Sequence, residues 1–335
     1  TGASPIKPSI EGTGLNGVFT VRLFEGAIEI QKYIEKEKSK HAVVIGAGFV
    51  GVEMAESLRM MGLDVVVIDM LSTILGIYDE NMRDEIIAEG EKNDVVFSLG
   101  NKVSAIEGRD DCVTAVHTEN GEFPADIVIL SAGVHPNTEL ASSIGLEFGA
   151  KGAIYVDLQG NTSSPGIYAA GDCAQIRDLV SGRWVWSPLG TTANRQGRAV
   201  GYAIAGKMTQ FKGIVRAAIT KFFDLGIAVI GPPKCELREF DWKLDETTIR
   251  ALSCAHYYPE HKPVWVHMYS ESETKRIIGG QYVGPWESAK RFDSLTVAVA
   301  NRMIAEDLAY LDIPYAPPFG TVWDPINIAA SKLAK

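Results

Sequence analysis

The feature that most constrains this chain is a glycine turn, Gly46-Ala47-Gly48-Phe49-Val50-Gly51, set between two apolar runs. Ala42-Val43-Val44-Ile45 leads into it, a helical stretch to about Met61-Gly62 follows, and Val65-Val66-Val67-Ile68-Asp69 closes the unit. Strand, glycine turn, helix and strand in that order form a βαβ unit of the dinucleotide-binding kind. Each glycine has its own task. Gly46 permits the tight turn, Gly48 lets a pyrophosphate approach the main chain, and Gly51 allows helix and strand to pack closely, while the helix N-terminus faces the anion. Phe49 and Val50 complete the turn and are counted with the cofactor-binding residues. Asp69 ends the second strand, where a carboxylate accepts hydrogen bonds from the adenine-ribose hydroxyls. It would repel a 2′-phosphate, and no Arg or Lys follows in Met70-Leu71-Ser72-Thr73-Ile74-Leu75, so the pattern favours NADH over NADPH.

The rest of the chain is organised around this unit. Phe24, Ala27, Ile28 and Ile34 recur at helical spacing ahead of the charged run Glu35-Lys36-Glu37-Lys38-Ser39-Lys40, which reads as a helix end and linker. An amphipathic helix is expected from Asp79 to Lys92, then β-rich segments with a turn at Asn120-Gly121 and a buried-type strand Ile127 to Leu130. Strands and turns are expected over Ile154 to Asp157 and Ile167 to Asp172, and a helix over Thr191 to Ala205. Beyond Gly213 apolar and polar residues alternate in several strands, Val264 to Tyr269 among them, with helices near Glu287 to Ala300 and Glu306 to Tyr310. This last part reads as a separate α+β domain with an antiparallel sheet.

A chain of 335 residues can bury more than one core. Its net charge of −10 carries no basic block that could track a phosphate backbone, so neither nucleic acid nor an anionic membrane surface is an expected partner. The apolar runs are strand-length, far short of the roughly 20 residues of a membrane span. The opening Thr1-Gly2-Ala3-Ser4-Pro5 lacks the basic and apolar regions of a secretory signal, so a cytoplasmic protein is expected. Cys112, Cys173, Cys235 and Cys254 are scattered without a C-x-x-C pair, which fits a reducing compartment and gives no metal site.

Three motifs stand in a telling order: Gly46 to Glu56 (GAGFVGVEMAE), Ser131 to Asn137 (SAGVHPN) and Ile167 to Cys173 (IYAAGDC). In this the chain resembles the FAD-dependent pyridine nucleotide-disulfide oxidoreductases over essentially its whole length. The resemblance implies an α/β fold in which a Rossmann-like NAD-binding domain (39–152) is inserted in a partial FAD-binding domain and followed by an α+β dimerisation domain (213–335). The partial FAD domain would comprise residues 1–38, its first segment's end and a connecting helix, and residues 153–212. By the same resemblance Phe49 gates the nicotinamide pocket, Glu53 is the helix carboxylate near the flavin, and Gly133 lines the nicotinamide site. A Glu on the first helical turn is also ordinary dipole complementarity. Gly2 stands where the first FAD segment closes. Gly171 and Asp172 match the turn that binds the flavin's ribityl chain; an aspartate there is also an ordinary turn residue. Leu189, Gly190, Thr191, Thr192 and Ala193, within Pro188 to Arg198, match the helix start that points at the flavin ring, where N–H groups stabilise negative charge. FAD and NADH are thus the implied cofactors.

Within the family, His256-Tyr257-Tyr258-Pro259 and Tyr315-Ala316-Pro317-Pro318-Phe319 resemble the coenzyme A disulfide reductase and NADH oxidase branch. There two tyrosines from one subunit reach the active cysteine of the other, and the matching positions are Tyr257 and Tyr315. A phenol can protonate a departing thiolate, so the role is chemically sound; interface aromatics are the plainer alternative, preferred for Tyr258. The pattern implies a homodimer acting on a small disulfide such as coenzyme A disulfide. It also breaks: the flavin's own glycine turn and the redox cysteine of a complete member are absent, and roughly a hundred residues are expected to precede Thr1. Three readings stay open: reduction of coenzyme A disulfide or a related persulfide through a cysteine outside this chain, oxidation of NADH by oxygen or peroxide, and a nucleotide-binding and dimerisation module without turnover.

Overall fold

The computed structural model describes residues 1–207, 210–237, 239 and 242–335. The chain divides into two compact units, and it crosses between them more than once. The first comprises residues 5–134 and 220–227; the second comprises 1–4, 135–219 and 228–335.

In chain order the first stretch holds β1 (Ala3–Pro5), β2 (Val18–Thr20), α1 (Phe24–Glu37), β3 (His41–Ile45), α2 (Phe49–Met60), β4 (Asp64–Asp69), α3 (Glu80–Lys92) and β5 (Val95–Leu99). Then come β6 (Val103–Arg109), β7 (Cys112–Thr118), β8 (Gly121–Pro124) and β9 (Ile127–Leu130). A parallel sheet of order β2-β9-β3-β4-β5 forms the centre of the first unit. Both faces are covered, and β3 and β9 accordingly read as unbroken apolar runs, with Val43, Val44, Ile127, Val128 and Ile129 fully buried. The strand order reverses at β3, so the end of β3 opens at a topological switch point, where open α/β sheets bind ligands. β6, β7 and β8 form an antiparallel three-stranded sheet whose Val103, Ile106, Val113 and Val116 join the same core.

Three helix carboxylates and one helix lysine bring residues 220–224 into this unit. Thr220 donates to Glu53, Lys221 pairs with Glu56, and the Asp224 amide donates to Glu89 at 3.2 Å while Lys92 pairs with Asp224 at 3.4 Å. Phe222 is fully buried, and Gly90 leaves its ring room: a Cβ there would lie 3.1 Å from it.

The second unit begins with β10 (Val134–Pro136), whose first residue belongs to the other unit, and α4 (Glu139–Ser143). Over residues 154–172 the expected strands are replaced by isolated bridges, such as Ile154 with Ala174 and Asn161 with Tyr168. Asp157 explains part of this: its Oδ1 accepts from the amides of Gln159 and Asn161, at 2.8 and 3.0 Å, and so closes a loop where a ladder would run. β11 (Ile176–Arg177) and β12 (Trp184–Val185) pair, and α5 spans Gly190–Ile204, one residue earlier than the pattern suggests.

β13 (Ala218–Phe222), β14 (Leu225–Ile230), β15 (Leu244–Leu252), β16 (Pro263–Glu271) and β17 (Ile277–Pro285) form a sheet of order β13-β14-β17-β16-β15. The β15–β16 ladder is antiparallel and unbroken from Leu244 opposite Glu271 to Leu252 opposite Pro263. A short α6 (Lys234–Leu237) precedes β15. After β17 a 3-10 turn, Trp286–Phe292, runs into α7 (Asp293–Ala300), which together occupy the expected helix near 287–300; α8 is Ala305–Ala309. A further helix, α9 (Pro325–Leu333), is announced by Asp324, which accepts from the Ile326 amide at 2.9 Å, with Pro325 in the first turn. Leu295, Leu308, Ile326 and Ala329 bury against Val264, Val266 and Met268 of β16.

Candidate functional site

The sequence-derived residues fall into three groups. The first lies at the end of β3. Gly46 takes φ +110°, and a Cβ on it would lie 2.5 Å from the Ser131 carbonyl oxygen. A Cβ on Gly51 would lie 1.9 Å from the Gly46 oxygen, so the helix can sit this close to the strand only through a glycine. Gly48, the residue ahead of α2, faces open space: nothing lies within 4 Å of where its Cβ would be. No side chain caps α2, but that alone distinguishes little, because α9 is the one helix among those described with such a cap. What marks the turn is open main chain at Gly48 beside two closely packed glycines, the shape a pyrophosphate requires. Val50 is exposed beside it, and the Phe49 ring stands edge-on to Tyr78 at 6.3 Å. Tyr78 is buried, which holds its phenol well above the usual range and keeps it neutral behind Phe49.

Two groups brace this turn, only one of which the sequence pointed to. The Asp69 carboxylate accepts from the Ala47 amide at 2.7 Å and the Leu71 amide at 2.8 Å, so it ties the turn to β4 as well as offering charge to a ribose. Ser131, from the end of β9, donates to the Gly46 oxygen at 2.7 Å and the Ile45 oxygen at 3.0 Å. Gly133 follows with φ +97°, its oxygen accepting from the Ile6 amide at 2.9 Å. Glu53 is the fifth residue of α2, in its second turn rather than its first; dipole complementarity therefore does not account for it. It is exposed and accepts from Thr220.

The second group belongs to the second unit. Gly171 takes φ +86°, and its amide donates to Gln196 Oε1 at 2.9 Å; Gln196 Nε2 donates in turn to the Gln175 oxygen at 2.9 Å. Buried Gln196, on α5, thereby holds the Gly171-Asp172 turn against the start of its own helix. Trp186 Nε1 adds a bond to the Asp172 oxygen at 2.8 Å. At that start Leu189 is extended, Gly190 and Thr191 are exposed, Thr192 is buried, and Ala193 lies against Gly171. Exposed amides above a turn carrying a carboxylate suit one side of a flavin and its ribityl chain. Gly2 is fixed by Asn137: the Asn137 amide donates to the Gly2 oxygen at 3.0 Å, and its side chain donates to the Thr1 oxygen at 2.8 Å.

The third group is the tyrosine pair. Tyr257 is 64% exposed and Tyr315 41%, and their hydroxyls meet at 3.3 Å. The loops that carry them are joined by the Ala255 amide, which donates to the Pro317 oxygen at 3.0 Å, and His256 packs edge-on to Tyr257 at 5.2 Å. The hydrogen bond with Tyr257 raises the Tyr315 phenol above its ordinary value. All four cysteines are free thiols, Cys173 and Cys254 buried, Cys112 half-buried and Cys235 exposed. No helix among the described residues is long and apolar enough to cross a membrane.

The first unit thus carries a glycine turn of dinucleotide-binding shape, and the second a Gly171-Asp172 turn held against the start of α5. Residues 1–197 match the pyridine nucleotide-disulphide oxidoreductase family and residues 217–325 its dimerisation domain, and the chain belongs to that family. Its members depend on FAD and use a pyridine nucleotide. The chain is 37% identical over 333 residues to the CoA-dependent NAD(P)H sulfur oxidoreductase of Pyrococcus furiosus, covering 99% of this chain and 75% of that protein. It is 31% identical over 315 residues to the coenzyme A disulfide reductase of Staphylococcus epidermidis, covering 94% and 70%. The solved NAD-dependent persulfide reductase of A. fulgidus superposes with a TM-score of 0.96 at 37% identity, over 100% of this chain and 62% of that one. The chain thus spans about three fifths to three quarters of the length of these relatives.

Proposed function

We propose that the protein carrying this chain is a cytoplasmic, homodimeric FAD-dependent oxidoreductase that uses NADH to reduce coenzyme A disulfide or a related persulfide. The observation that carries the substrate class is the exposed phenol pair, Tyr257 and Tyr315, whose hydroxyls stand 3.3 Å apart on two joined loops. It is supported by similarity to a coenzyme A disulfide reductase and to a CoA-dependent sulfur oxidoreductase. In this reading residues 39–152 bind NADH, residues 1–38 and 153–212 hold flavin, and residues 213–335 dimerise.

Gly46, Gly48 and Gly51, with Phe49 and Val50, seat the pyrophosphate, and Asp69 accepts from the ribose and disfavours a 2′-phosphate. Phe49, backed by Tyr78, closes over the nicotinamide beside Gly133. Gly2, Gly171, Asp172 and the helix start from Leu189 to Ala193 hold the flavin; Glu53, bonded by Thr220, is the catalytic helix carboxylate. A flavin held there would supply two-electron transfer between NADH and a cysteine relay outside this chain. The S–S bond of the substrate then opens to two thiols, and Tyr257 and Tyr315 of one subunit supply hydrogen bonds or a proton to the departing thiolate in the other. The raised Tyr315 phenol stays protonated at neutral pH, as a donor must.

The test is the Tyr257→Phe, Tyr315→Phe double variant of the whole protein. Turnover of coenzyme A disulfide should fall about 100-fold, the lower range for a lost proton donor, with bleaching of the flavin by NADH unchanged. Since the folded phenol is raised, kcat should be flat through neutral pH and fall only above the ordinary phenol value of about 10. Undiminished turnover in the double variant would overturn the role, and consumption of oxygen outrunning disulfide reduction in the unaltered protein would move the acceptor to oxygen. A colourless product with no NADH-driven bleaching would favour a binding module.

A further inference from the structure

We infer that Arg291 is the positioning residue that sets the spacing of the two phenols, an inference that rests on the role given above to Tyr257 and Tyr315. The argument begins with what lies behind their loops. A cavity of about 540 Å³ is lined by Tyr258 of the first loop, Pro318 and Phe319 of the second, and Ser253, Cys254 and Arg291 beneath them. Close-packed side chains normally fix the separation of two surface segments to a few tenths of an ångström. Here part of that packing is replaced by open volume, so directed bonds must do the fixing.

Arg291 supplies them. Its Nη2 donates to the Ser253 oxygen at 2.5 Å and to the Phe319 oxygen at 2.9 Å, so a single nitrogen bridges the two loops. Ser253 is the hinge of the first loop, closed against Lys262 by bonds of 2.8 and 3.0 Å. Phe319 ends the turn that starts at Ala316, directly after Tyr315. The guanidinium is itself fixed: Nε donates to the Ser288 oxygen at 3.2 Å, and Nη1 reaches the Asp324 carboxylate at 3.4 Å. Asp324 also caps α9, so the plane of the fork is referred to the core of the unit. The rigid fork fixes where Nη2 lies, because Nε and Nη1 are anchored at Ser288 and Asp324; a lysine ammonium on a flexible stem could reach the two carbonyls but without those anchors would not hold their spacing.

The experiment uses the complete holoenzyme with Arg291→Lys. The kcat for coenzyme A disulfide should fall about 10- to 100-fold, the range expected for a misplacement near 1 Å. KM and the rate of flavin bleaching by NADH should change less than about threefold, because neither depends on the phenol spacing. Combined with Tyr257→Phe and Tyr315→Phe, Arg291→Lys should cost nothing further, as residues acting in one unit are not additive. In Arg291→Ala, millimolar guanidinium should restore part of the lost kcat. An unchanged kcat in Arg291→Lys, a loss that multiplies with that of the tyrosine variants, or an equal fall in flavin bleaching would overturn the inference. If Arg291→Lys does not accumulate, Arg291→Gln, which keeps one donor in the slot, is read by the same criteria. Full turnover in the double tyrosine variant defeats the proposed function itself, whereas loss there with none in Arg291→Lys defeats this inference alone.

Discussion

Two helix starts, α2 after Gly48 and α5 after Leu189, have the same open aspect, with nothing within 4 Å of a Cβ placed on Gly48 or Gly190. They are fixed by different means. Beyond the side-chain bonds from Asp69 and Ser131, the turn ahead of α2 is set by main chain against main chain: the Gly51 position against the Gly46 oxygen and the Gly46 position against the Ser131 oxygen. The turn facing α5 is set by an amide side chain, Gln196, which bonds Gly171 on one side and the Gln175 oxygen on the other. Glycine contacts leave little latitude, because a single added carbon collides with backbone. A side-chain bond can be withdrawn without a collision.

That contrast can be broken from either side. The largest effect is expected from Gly51→Ala, which places a methyl 1.9 Å from a backbone oxygen. Overpacking of this kind costs about 1–3 kcal/mol or more. Because the carbon points into the turn, NADH affinity in a fluorescence titration should fall at least about 30-fold, the equivalent of 2 kcal/mol. Affinity within about twofold of the unaltered protein would show that the turn yields more than its packing suggests. Next comes Gln196→Leu, which leaves a buried amide and a carbonyl without their partner at a cost of about 1–3 kcal/mol. Flavin content, read from the ratio of visible to ultraviolet absorbance, should drop while NADH affinity holds; flavin retained in full would mean that the Trp186 bond to the Asp172 oxygen suffices. The smallest effect is expected from Asp69→Asn. The amide retains an acceptor oxygen for Ala47 or Leu71 but loses the charge, so the preference for NADH over NADPH, as a ratio of kcat/KM values, should narrow about tenfold, or 1.4 kcal/mol. An unchanged ratio would assign Asp69 to bracing the turn alone.

The same contrast governs what could be read from sequence. β3, α2 and β4 are legible because apolar runs and glycines at fixed offsets are local properties, and the contacts they make are mostly with each other. Ser131 could be quoted as part of a motif, yet its two hydrogen bonds, donated to the Ile45 and Gly46 oxygens, span 85 residues or more and leave no local signature. Thr220 reaching Glu53 across 167 residues is less visible still. Gln196 lay inside a recognised segment, but its tie to Gly171 follows from folding rather than spacing. The tyrosine motifs were visible as residues, while the fork of Arg291 beneath them was not. Over residues 154–172 alternation suggested ladders, and Asp157 drew the amides into a loop instead. α9 is only nine residues long, yet its Asp324-Pro325 start is there to be read.

The Thr220–Ile227 segment carries a practical consequence. In chain order it belongs to the C-terminal part, within the 217–325 match to the dimerisation domain, yet it counts with the nucleotide unit. A fragment cut to residues 39–152 would therefore lack Phe222, opening space beside Gly90, and would remove the partners of Glu53 and Glu56, while Glu89 would keep Lys92. For anyone cloning this unit separately, the useful piece is discontinuous, and a short linker returning residues 220–227 to it belongs in the design.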